Sequence, residues 1–376
     1  MVARAGSKKG GALMLPNLES RALKYGYSNA RVRAMKGLLI KSATLSEMVR
    51  VANIDGVIEL LQRTAYKSDL SAASASYTGS RLVEIAASRN FARAAEKVIR
   101  MAPKSDKAAL SSILLKWDMI NLKTILHAKK LGKSFDEIRP ALFPVGGMDE
   151  DDFKRIMRTD ERDLFREVRR TRLGEQLLSK EWSQSGMDIT GIFKAAFLNL
   201  DAFMKHESEL DTYIYLVIDR SLRSTGSKEA AKIAEILRLE IDAKNILIIE
   251  RLKKHNSDRS RIMKSLIRGG NISDSTLSKL IEAKDLAATS SLVRHKFPKL
   301  AVPAEEHDLG RLEIALEKAI SAQRLDAFYT SILSIGVLIG FLLLKEEEVS
   351  NLRKIAKGKE FGMGDDQIKD MLVLLG

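Results

Sequence analysis

The segment Asp118-Met-Ile-Asn121-Leu-Lys-Thr-Ile125-Leu-His-Ala-Lys129 is the first of three similar copies in the chain, and this repetition decides the predicted fold. Its counterparts are Asp242-Ala-Lys-Asn245-Ile-Leu-Ile-Ile249-Glu-Arg-Leu-Lys253 and Glu348-Val-Ser-Asn351-Leu-Arg-Lys-Ile355-Ala-Lys-Gly-Lys359. Each copy has an acid three positions before an Asn, an apolar residue after it, an Ile at plus four and a Lys at plus eight. The apolar spacing is that of one helical face, and we expect the Lys to lie near the helix end, where a cation suits the helix dipole.

A Gly-Gly pair follows each of the first two copies, at Gly146-Gly147 and at Gly269-Gly270. After each pair come a potential capping residue and a new amphipathic segment, so the pairs predict helix stops. The third copy is followed by Gly362-Met-Gly364 and a short closing helix, which indicates a truncated last unit. A fixed long period of this kind is the signature of an internally repeated fold.

The repeat divides the chain into four predicted parts. Residues 1–24 form a disordered or irregular lead, and residues 25–140 hold an N-terminal helix and the first helical unit. The second and third units occupy residues 141–265 and 266–376. Asn29 lies in what looks like a stray copy of the repeat's last helix, and the Ser-rich and Ala-rich stretch from Ser68 to Ser80 is predicted to be a flexible loop.

The composition favours an all-α fold. Of the 376 residues, 45% are hydrophobic, 6% are aromatic and six are Pro, and no segment alternates as a strand does. The 63 Lys and Arg exceed the 49 Asp and Glu, giving a net charge of +14 that favours an acidic partner. The absence of Cys excludes disulfides and thiolate chemistry and fits a reducing cytoplasm.

Neither end of the chain predicts secretion or a membrane span. Met1 to Gly11 is small, polar and basic, without the apolar centre of a signal peptide. The longest apolar run extends from Ile332 to Leu344, which is shorter than the roughly 20 residues that a span needs. We interpret it as a buried helix, in which Gly336 and Gly340 would let another helix approach closely.

Catalytic and ligand motifs are missing from the sequence. There is no phosphate loop, dinucleotide fingerprint, nucleophile elbow or pair of zinc-ligand histidines, so we expect no catalytic residue, metal site, cofactor or direct nucleotide binding. The histidines fit surface or helix-end positions; they are His127, His206, His255, His295 and His307. The acidic run from Asp149 to Asp152 could bind a cation, but capping of a helix start explains it better.

Two groups of residues are candidates for a role beyond packing. A basic cluster could contact an acidic partner, or be a solvated surface paired with nearby acids; it comprises Arg162, Arg166, Arg169, Arg170 and Arg172. The first four fall on one side of a predicted helix. The repeated Asn121, Asn245 and Asn351 fit buried amides that hydrogen-bond a neighbouring backbone and fix the helix register.

Three segments resemble the family of the A-type ATP synthase C subunit, which includes the d subunit of eukaryotic V-type ATPases. They are Tyr27-Ser-Asn29-Ala-Arg31-Val-Arg33-Ala-Met35-Lys36, the segment from Asn121 to Lys129, and Lys345-Glu-Glu-Glu-Val-Ser-Asn351-Leu-Arg353-Lys-Ile355-Ala-Lys-Gly-Lys359-Glu-Phe-Gly362. The last is the most specific. The resemblance extends from about Tyr25 to the end of the chain, while the lead departs from the family pattern.

The resemblance implies a fold, a location and partners. The fold would be three similar helical domains around a pseudo-threefold axis, forming a funnel. The funnel would be a non-catalytic socket between the central-stalk subunits D and F and the membrane proteolipid ring, at the cytoplasmic face of the membrane. Two other interpretations stay open: a basic helical-repeat protein that binds nucleic acid, and a soluble enzyme with an unrecognised site. Nucleic-acid binding is not expected, because the few aromatic residues lie mostly in apolar surroundings.

Overall fold

A computed structural model describes residues 15–178, 188–298 and 308–374. This part of the chain forms nineteen α-helices and no strand, so the predicted all-α fold is confirmed. Three short 3₁₀ helices, at Lys104–Asp106, Arg139–Ala141 and Glu161–Asp163, link some of the α-helices. Nearly all buried apolar side chains belong to one continuous core.

The helices fall into three series, each containing two long neighbouring helices. The first series follows α1 (Leu15–Lys36) and consists of α2 (Ser42–Arg50), α3 (Ile54–Gln62), α4 (Lys67–Ala73), α5 (Gly79–Met101), α6 (Lys107–Lys130) and α7 (Phe135–Ile138). The second consists of α8 (Glu150–Arg158), α9 (Leu164–Arg169), α10 (Arg172–Leu177), α11 (Ile189–Ala196), α12 (Leu200–Ser224), α13 (Lys228–Lys254) and α14 (Arg259–Lys264). The third consists of α15 (Asp274–Glu282), α16 (Leu286–Val293), α17 (Leu309–Thr330), α18 (Ile335–Glu360) and α19 (Asp365–Met371).

In each series the second long helix ends at the same distance along the chain from its repeated Asn. Helices α6, α13 and α18 all end nine residues after that Asn, and α7, α14 and α19 all start 14 residues after it. Eleven residues after it, Gly132, Asn256 and Gly362 have φ values of 67°, 52° and 65°. This left-handed conformation ends a helix at low cost only with Gly or Asn. The repeat seen in the sequence is therefore a repeat of structure.

A nine-residue helix follows the first two of these segments, and the start of the chain supplies the third. Helices α8 and α15 both begin 29 residues after the repeated Asn, at Asn121 and Asn245. Within the described residues no counterpart follows Asn351. Helix α2 also has nine residues, and it packs against both α18 and α19. Helix α2 thus lies beside the third series as α8 and α15 lie beside the first and second.

The long helices contact one another in a cycle. Helix α12 packs against α6, α17 packs against α13, and α5 packs against α18. In each case the first long helix of one series lies against the second long helix of another. The first two contacts follow the chain order, and the third joins the two ends of the molecule.

Helix α1 lies across all three series near the starts of their second long helices. Lys24 donates to Asp106 at 2.9 Å, before α6, while Arg21 pairs with Glu229 in α13. Arg21 also donates to the carbonyl oxygens of Ile332 and Leu333, before α18, at 2.8 and 3.1 Å. These contacts hold residues 15–24 in a helix, so the prediction of an irregular lead is wrong for them. Residues 1–14, the rest of the lead, lie outside the described part.

The structure also tests the predictions for the apolar run from Ile332 to Leu344 and for the segment from Ser68 to Ser80. The apolar run is buried as expected, although its helix begins at Ile335 and leaves Ile332 exposed. The loop predicted from Ser68 to Ser80 is wrong for its first half, because residues up to 73 belong to α4. Leu70 is buried there, and the buried Asp69 accepts hydrogen bonds from Asn90 and Arg93 at 2.7 and 2.6 Å. These contacts outweigh the loop-like composition.

Candidate functional site: the junction of the long helices

The repeated Asn side chains each clamp one backbone residue. Asn121 donates to the Phe143 carbonyl at 2.6 Å and accepts from the Phe143 N–H at 2.8 Å. Asn245 makes both bonds with Ile267 at 2.8 Å, and Asn351 makes them with Val373 at 2.8 and 3.0 Å. The clamped residue lies 22 positions after the Asn in every case. Asn29 makes the same pair of bonds with Ser334.

The acid before each of the first two Asn residues binds two backbone N–H groups. Asp118 accepts from Gly147 and Met148 at 2.6 and 2.9 Å, and Asp242 accepts from Asn271 and Ile272 at 3.0 Å each. Burial raises the pKa of Asp118 to about 7, although these N–H groups oppose the shift. Burial raises the pKa of Asp242 as well, against the same kind of opposition.

The Gly-Gly pairs leave room for the Asp118 and Asp242 carboxylates and do not end a helix. Both pairs lie in the non-helical segments before α8 and α15. A Cβ at Gly146 would collide with the Asp118 carboxylate, and one at Gly270 would collide with that of Asp242. The prediction of helix stops is therefore wrong, because the glycines allow the close approach of a carboxylate to the backbone.

Glu348 occupies the equivalent acid position in the third series and joins the ends of the molecule. It accepts hydrogen bonds from the Ile40 N–H and from the Tyr66 hydroxyl, and it pairs with Lys345. Ile40 stands two residues before α2, as Met148 stands two before α8. The contact therefore resembles the one that Asp118 makes with Met148, but it joins residues 308 positions apart.

The repeated Lys caps a neighbouring helix. Lys129 donates to the carbonyl oxygens of Met157 and Thr159, at the C-terminal end of α8, at 2.8 and 2.7 Å. Lys253 lies 3.4 Å from the Leu280 carbonyl oxygen, near the end of α15. As expected, each of these two Lys side chains lies at the negative end of a helix dipole. The dipole is that of the short helix packed against it, as well as that of the long helix to which the Lys belongs. Lys359 differs, because it pairs with Asp365 at 2.8 Å.

Three equivalent positions of the long helices meet in a buried charged cluster. Lys116, Glu240 and Glu346 each stand five residues before the repeated Asn, on α6, α13 and α18. The Lys116 ammonium lies 2.7 Å from Glu346 and 3.7 Å from Glu240. Arg324 of α17 pairs with Glu240 and lies 3.7 Å from Glu346 and 3.6 Å from Glu347. We call Lys116, Glu240, Arg324, Glu346 and Glu347 the central cluster.

The electrostatics of the central cluster follow from burial and pairing. Burial alone would raise the pKa of Glu240, but the charges of Arg324 and Lys116 lower it to about 2. Burial raises the pKa of Glu347 to about 7, since Arg324 offsets it only in part. Two basic side chains thus lie among three acidic ones. The cluster can hold the three series together, and nothing in it suggests chemistry.

A second set of polar side-chain pairs recurs at the three contacts between series. The residue six positions after each repeated Asn faces a Glu on the partner helix. Arg251 pairs with Glu313 at 2.7 Å, His127 with Glu207 at 3.0 Å, and Lys357 with Glu84 at 3.6 Å. The cyclic contacts therefore share side-chain chemistry as well as helix order.

Comparison with known proteins assigns the chain to a family. A sequence model described as "ATP synthase (C/AC39) subunit" matches residues 28–371, which include all three series. The chain belongs to this family of ATP synthase subunits. It is 26% identical to the C subunit of the A-type ATP synthase of Methanosarcina barkeri (strain Fusaro / DSM 804) over 356 residues, covering 93% of both chains.

Two further relatives carry the same name. The A-type ATP synthase C subunit of Archaeoglobus fulgidus is 25% identical over 93% of this chain and 96% of its own length. That of Pyrococcus abyssi is 27% identical over 93% of this chain and 90% of its own. The predicted resemblance is thus confirmed, and the chain is a subunit of an ATP synthase. Within the residues described, no helix is long and apolar enough to cross a membrane.

In this ATP synthase subunit the basic cluster does not lie along one helix, so that part of the prediction is wrong. Arg162 is in the 3₁₀ turn, α9 ends at Arg169, and Arg172 begins α10. Arg166 and Arg170 both pair with Glu167 at 3.1 Å. Burial would raise the pKa of Glu167, but the hydrogen bond from Arg166 and the nearby guanidinium charges lower it.

The other three arginines remain candidates for contact with a partner. Arg162, Arg169 and Arg172 are exposed, and no ion pair joins them to any residue of the described ranges.

The acidic run has the capping role that the sequence favoured: Asp149 accepts from the N–H groups of Asp151 and Asp152 at the start of α8. His307 lies outside the described residues.

Proposed function

We propose that the chain is a non-catalytic central-stalk subunit of a rotary A/V-type ATP synthase. In this proposal three helical units, residues 25–140, 141–265 and 266–376, surround a pseudo-threefold axis and form a funnel-shaped socket. The socket receives the stalk subunits D and F and rests on the proteolipid ring at the cytoplasmic face of the membrane. Torque passes through it between ATP chemistry and ion translocation.

The closed cycle of long-helix contacts is the observation that best supports the proposal. A part that transmits torque must resist twisting, and close-packed helices form a stiff body. The buried clamps and the central cluster add directional bonds that tolerate little displacement. The relatives support the ATP synthase part of the proposal, since each of them is called the C subunit of an A-type ATP synthase.

The exposed arginines are the proposed contact with the acidic surface of a partner. Arg162, Arg169 and Arg172 carry three positive charges within eleven residues, without compensating ion pairs in the described ranges. Exposed charges of this kind accelerate association and select partners more than they contribute to folding. Arg166 and Arg170 have a mainly local role, because Glu167 neutralises them in part.

Gel filtration with purified subunits D and F tests the proposal. At micromolar concentrations we expect the three proteins to elute together, and separate elution of folded chains would contradict the proposal. The combined variant Arg162→Glu, Arg169→Glu and Arg172→Glu should weaken the complex. The control Arg31→Glu, Lys97→Glu and Lys284→Glu changes three exposed cations by the same net charge and should leave the complex intact.

A DNA titration tests the rival function. At physiological salt we expect only weak binding of duplex DNA that disappears as salt rises, because it reflects net charge alone. Tight, sequence-selective binding would favour the nucleic-acid interpretation instead.

A further inference from the structure

A cavity of about 290 Å³ lies between α12 and α13, beside the non-helical segment that follows α14. Its floor is apolar, formed by Leu216, Ala234, Leu237 and Ile241. Arg268 and Gly269 also line it and are exposed, so the cavity reaches the surface. None of these residues belongs to the central cluster or to the basic cluster.

The cavity exists because this series has small residues where the first series has large ones. Trp117 packs between Phe91 and Phe143, with ring centroids 5.5 and 4.5 Å away. The positions equivalent to Trp117 and Phe143 relative to the repeated Asn are Ile241 and Ile267. Together with Tyr215 these two residues form a small apolar cluster separate from the main core.

The first and second series also differ in side-chain size at a third position. Val145, two residues after the clamped Phe143, is buried, and its equivalent after Ile267 is Gly269. Gly269 has a φ of 100°, a conformation in which a side chain would be strained. The space is therefore built into the backbone as well as into the choice of side chains.

A cation that is unpaired within the described residues lines this apolar space. The Arg268 guanidinium makes no ion pair or side-chain hydrogen bond with any residue of the described part, and only its backbone N–H is bound, by the Thr212 hydroxyl at 2.9 Å. Tyr215 also lines the cavity, but its hydroxyl is shielded from water and has no hydrogen-bond partner among the described residues. Asp219 is the acid of the lining, and it is paired with Arg238 at 3.1 Å and with Arg223 at 2.9 Å.

We infer that this cavity binds a small amphipathic anion, an aliphatic carboxylate being the simplest example. The aliphatic part would lie against the floor at Ile241 and Leu237, where its transfer from water is favourable. The carboxylate would lie at the Arg268 guanidinium, since charge-assisted pairs of this kind bind tightly. This site is independent of the proposed function, because no residue of it takes part in the contacts proposed for the stalk or ring.

Calorimetric titration of the full chain with octanoate, 1-octanol and octylammonium tests the inference. The three probes share the chain length and differ in the charge of the head group. We expect saturable binding of one octanoate, affinity for octanol at least about tenfold weaker, and no binding of octylammonium. Equal affinity for octanol and octanoate, or no saturable binding of octanoate at millimolar concentration, would overturn the inference.

Variants locate the binding at this cavity. Arg268→Gln should weaken octanoate binding about tenfold or more and leave octanol binding unchanged, whereas Arg261→Gln, an exposed cation outside the lining, should have no effect. Ile241→Trp transfers the first series' large residue into the cavity and should abolish binding. If that variant fails to fold, as helical circular dichroism would show, the Arg268→Gln result decides alone; unchanged octanoate affinity there contradicts the inference.

Discussion

Each repeated Asn satisfies both polar groups of one backbone residue in the core, in a place where water has little access. Such a bond pair contributes modestly while intact, but its loss leaves a buried N–H and a buried C=O unpaired. In the first two series the clamped residue lies seven positions before the next short helix, α8 or α15. There one side chain connects a long helix to the segment that passes to the next series.

Replacing these residues with Ala should cost more than removing an exposed helix cap. We expect Asn121→Ala and Asn245→Ala to lower the free energy of unfolding by about 2 to 4 kcal/mol, measured by urea denaturation. Asn351→Ala should have a similar effect, because its partner Val373 is as buried as Phe143 and Ile267. Asn53→Ala, which removes one exposed helix cap, is the control and should cost about 1 kcal/mol. Equal effects at all four positions would contradict this reasoning.

Asp118 should make stability depend on pH near neutrality. Its pKa is about 7 in the folded protein, above the usual value of about 3.9 for an unfolded chain. The folded state therefore holds the proton more tightly, and the stability gained from it is complete below about pH 4. That contribution is lost as pH rises to about 7, at up to about 1.4 kcal/mol per pH unit.

The variant Asp118→Asn isolates this effect, because its side chain does not titrate. Urea denaturation of both proteins between pH 5 and pH 8 should show a wild-type stability that falls more steeply than that of the variant. Glu347 contributes a slope of the same sign to both proteins, so the difference between them reports Asp118. Parallel pH profiles would show that the carboxylate is already ionised at pH 5.

At the scale of helices, glycine at the contact of α17 with α18 sets how closely they pack. A Cβ at Gly340 would lie 2.9 Å from the Phe328 Cβ and 3.0 Å from its Cα. Gly340→Ala should therefore lower the free energy of unfolding by about 1 to 3 kcal/mol. Gly26→Ala in α1, where a Cβ meets nothing within 4 Å, should raise it by about 0.5 to 1 kcal/mol. Thermal melts that place both variants on the same side of the wild type would contradict the packing argument.

The helices and their repeat could be predicted because the information is local. The acid, the Asn and the Lys stand at fixed spacings, and a helical face shows its apolar period within a few turns. The role of the glycines could not be predicted, since a stop and a close approach to a carboxylate need the same residue type. The spacing of the basic cluster fits one helix, but the chain forms a 3₁₀ helix at Glu161–Asp163, ends α9 at Arg169 and begins α10 at Arg172.

At the scale of the whole molecule, the contacts that close the cycle join distant parts of the sequence. Glu348 binds a backbone N–H 308 residues away, and no local pattern indicates such a pairing. The central cluster escapes prediction for another reason. Three of its members share one register but differ in charge, so a search for repeated residue types passes over Lys116, Glu240 and Glu346. Comparison of the three copies at five positions before the Asn would have found them.

Exchange of charges within the central cluster tests whether the three series meet there. Lys116→Glu places a further carboxylate among buried acids, and Glu346→Lys places a further cation near Arg324, so each should cost about 3 to 5 kcal/mol. The double variant restores an opposite pair and should be more stable than the sum of the single effects by about 1 to 3 kcal/mol. The same exchange at the exposed pair Arg251 and Glu313 is the control and should show a coupling below about 1 kcal/mol. Additive effects at the buried pair would contradict the arrangement.

The coupling of ATP hydrolysis to ion transport tests the proposed function most directly. The parent ATP synthase would be reconstituted in lipid vesicles with and without this chain, and hydrolysis and ion uptake would be measured together. With the chain, hydrolysis should drive uptake; without it, hydrolysis should continue while uptake stops, and adding the chain back should restore uptake. Uptake that proceeds at the same ratio to hydrolysis without the chain would contradict its role as the coupling socket.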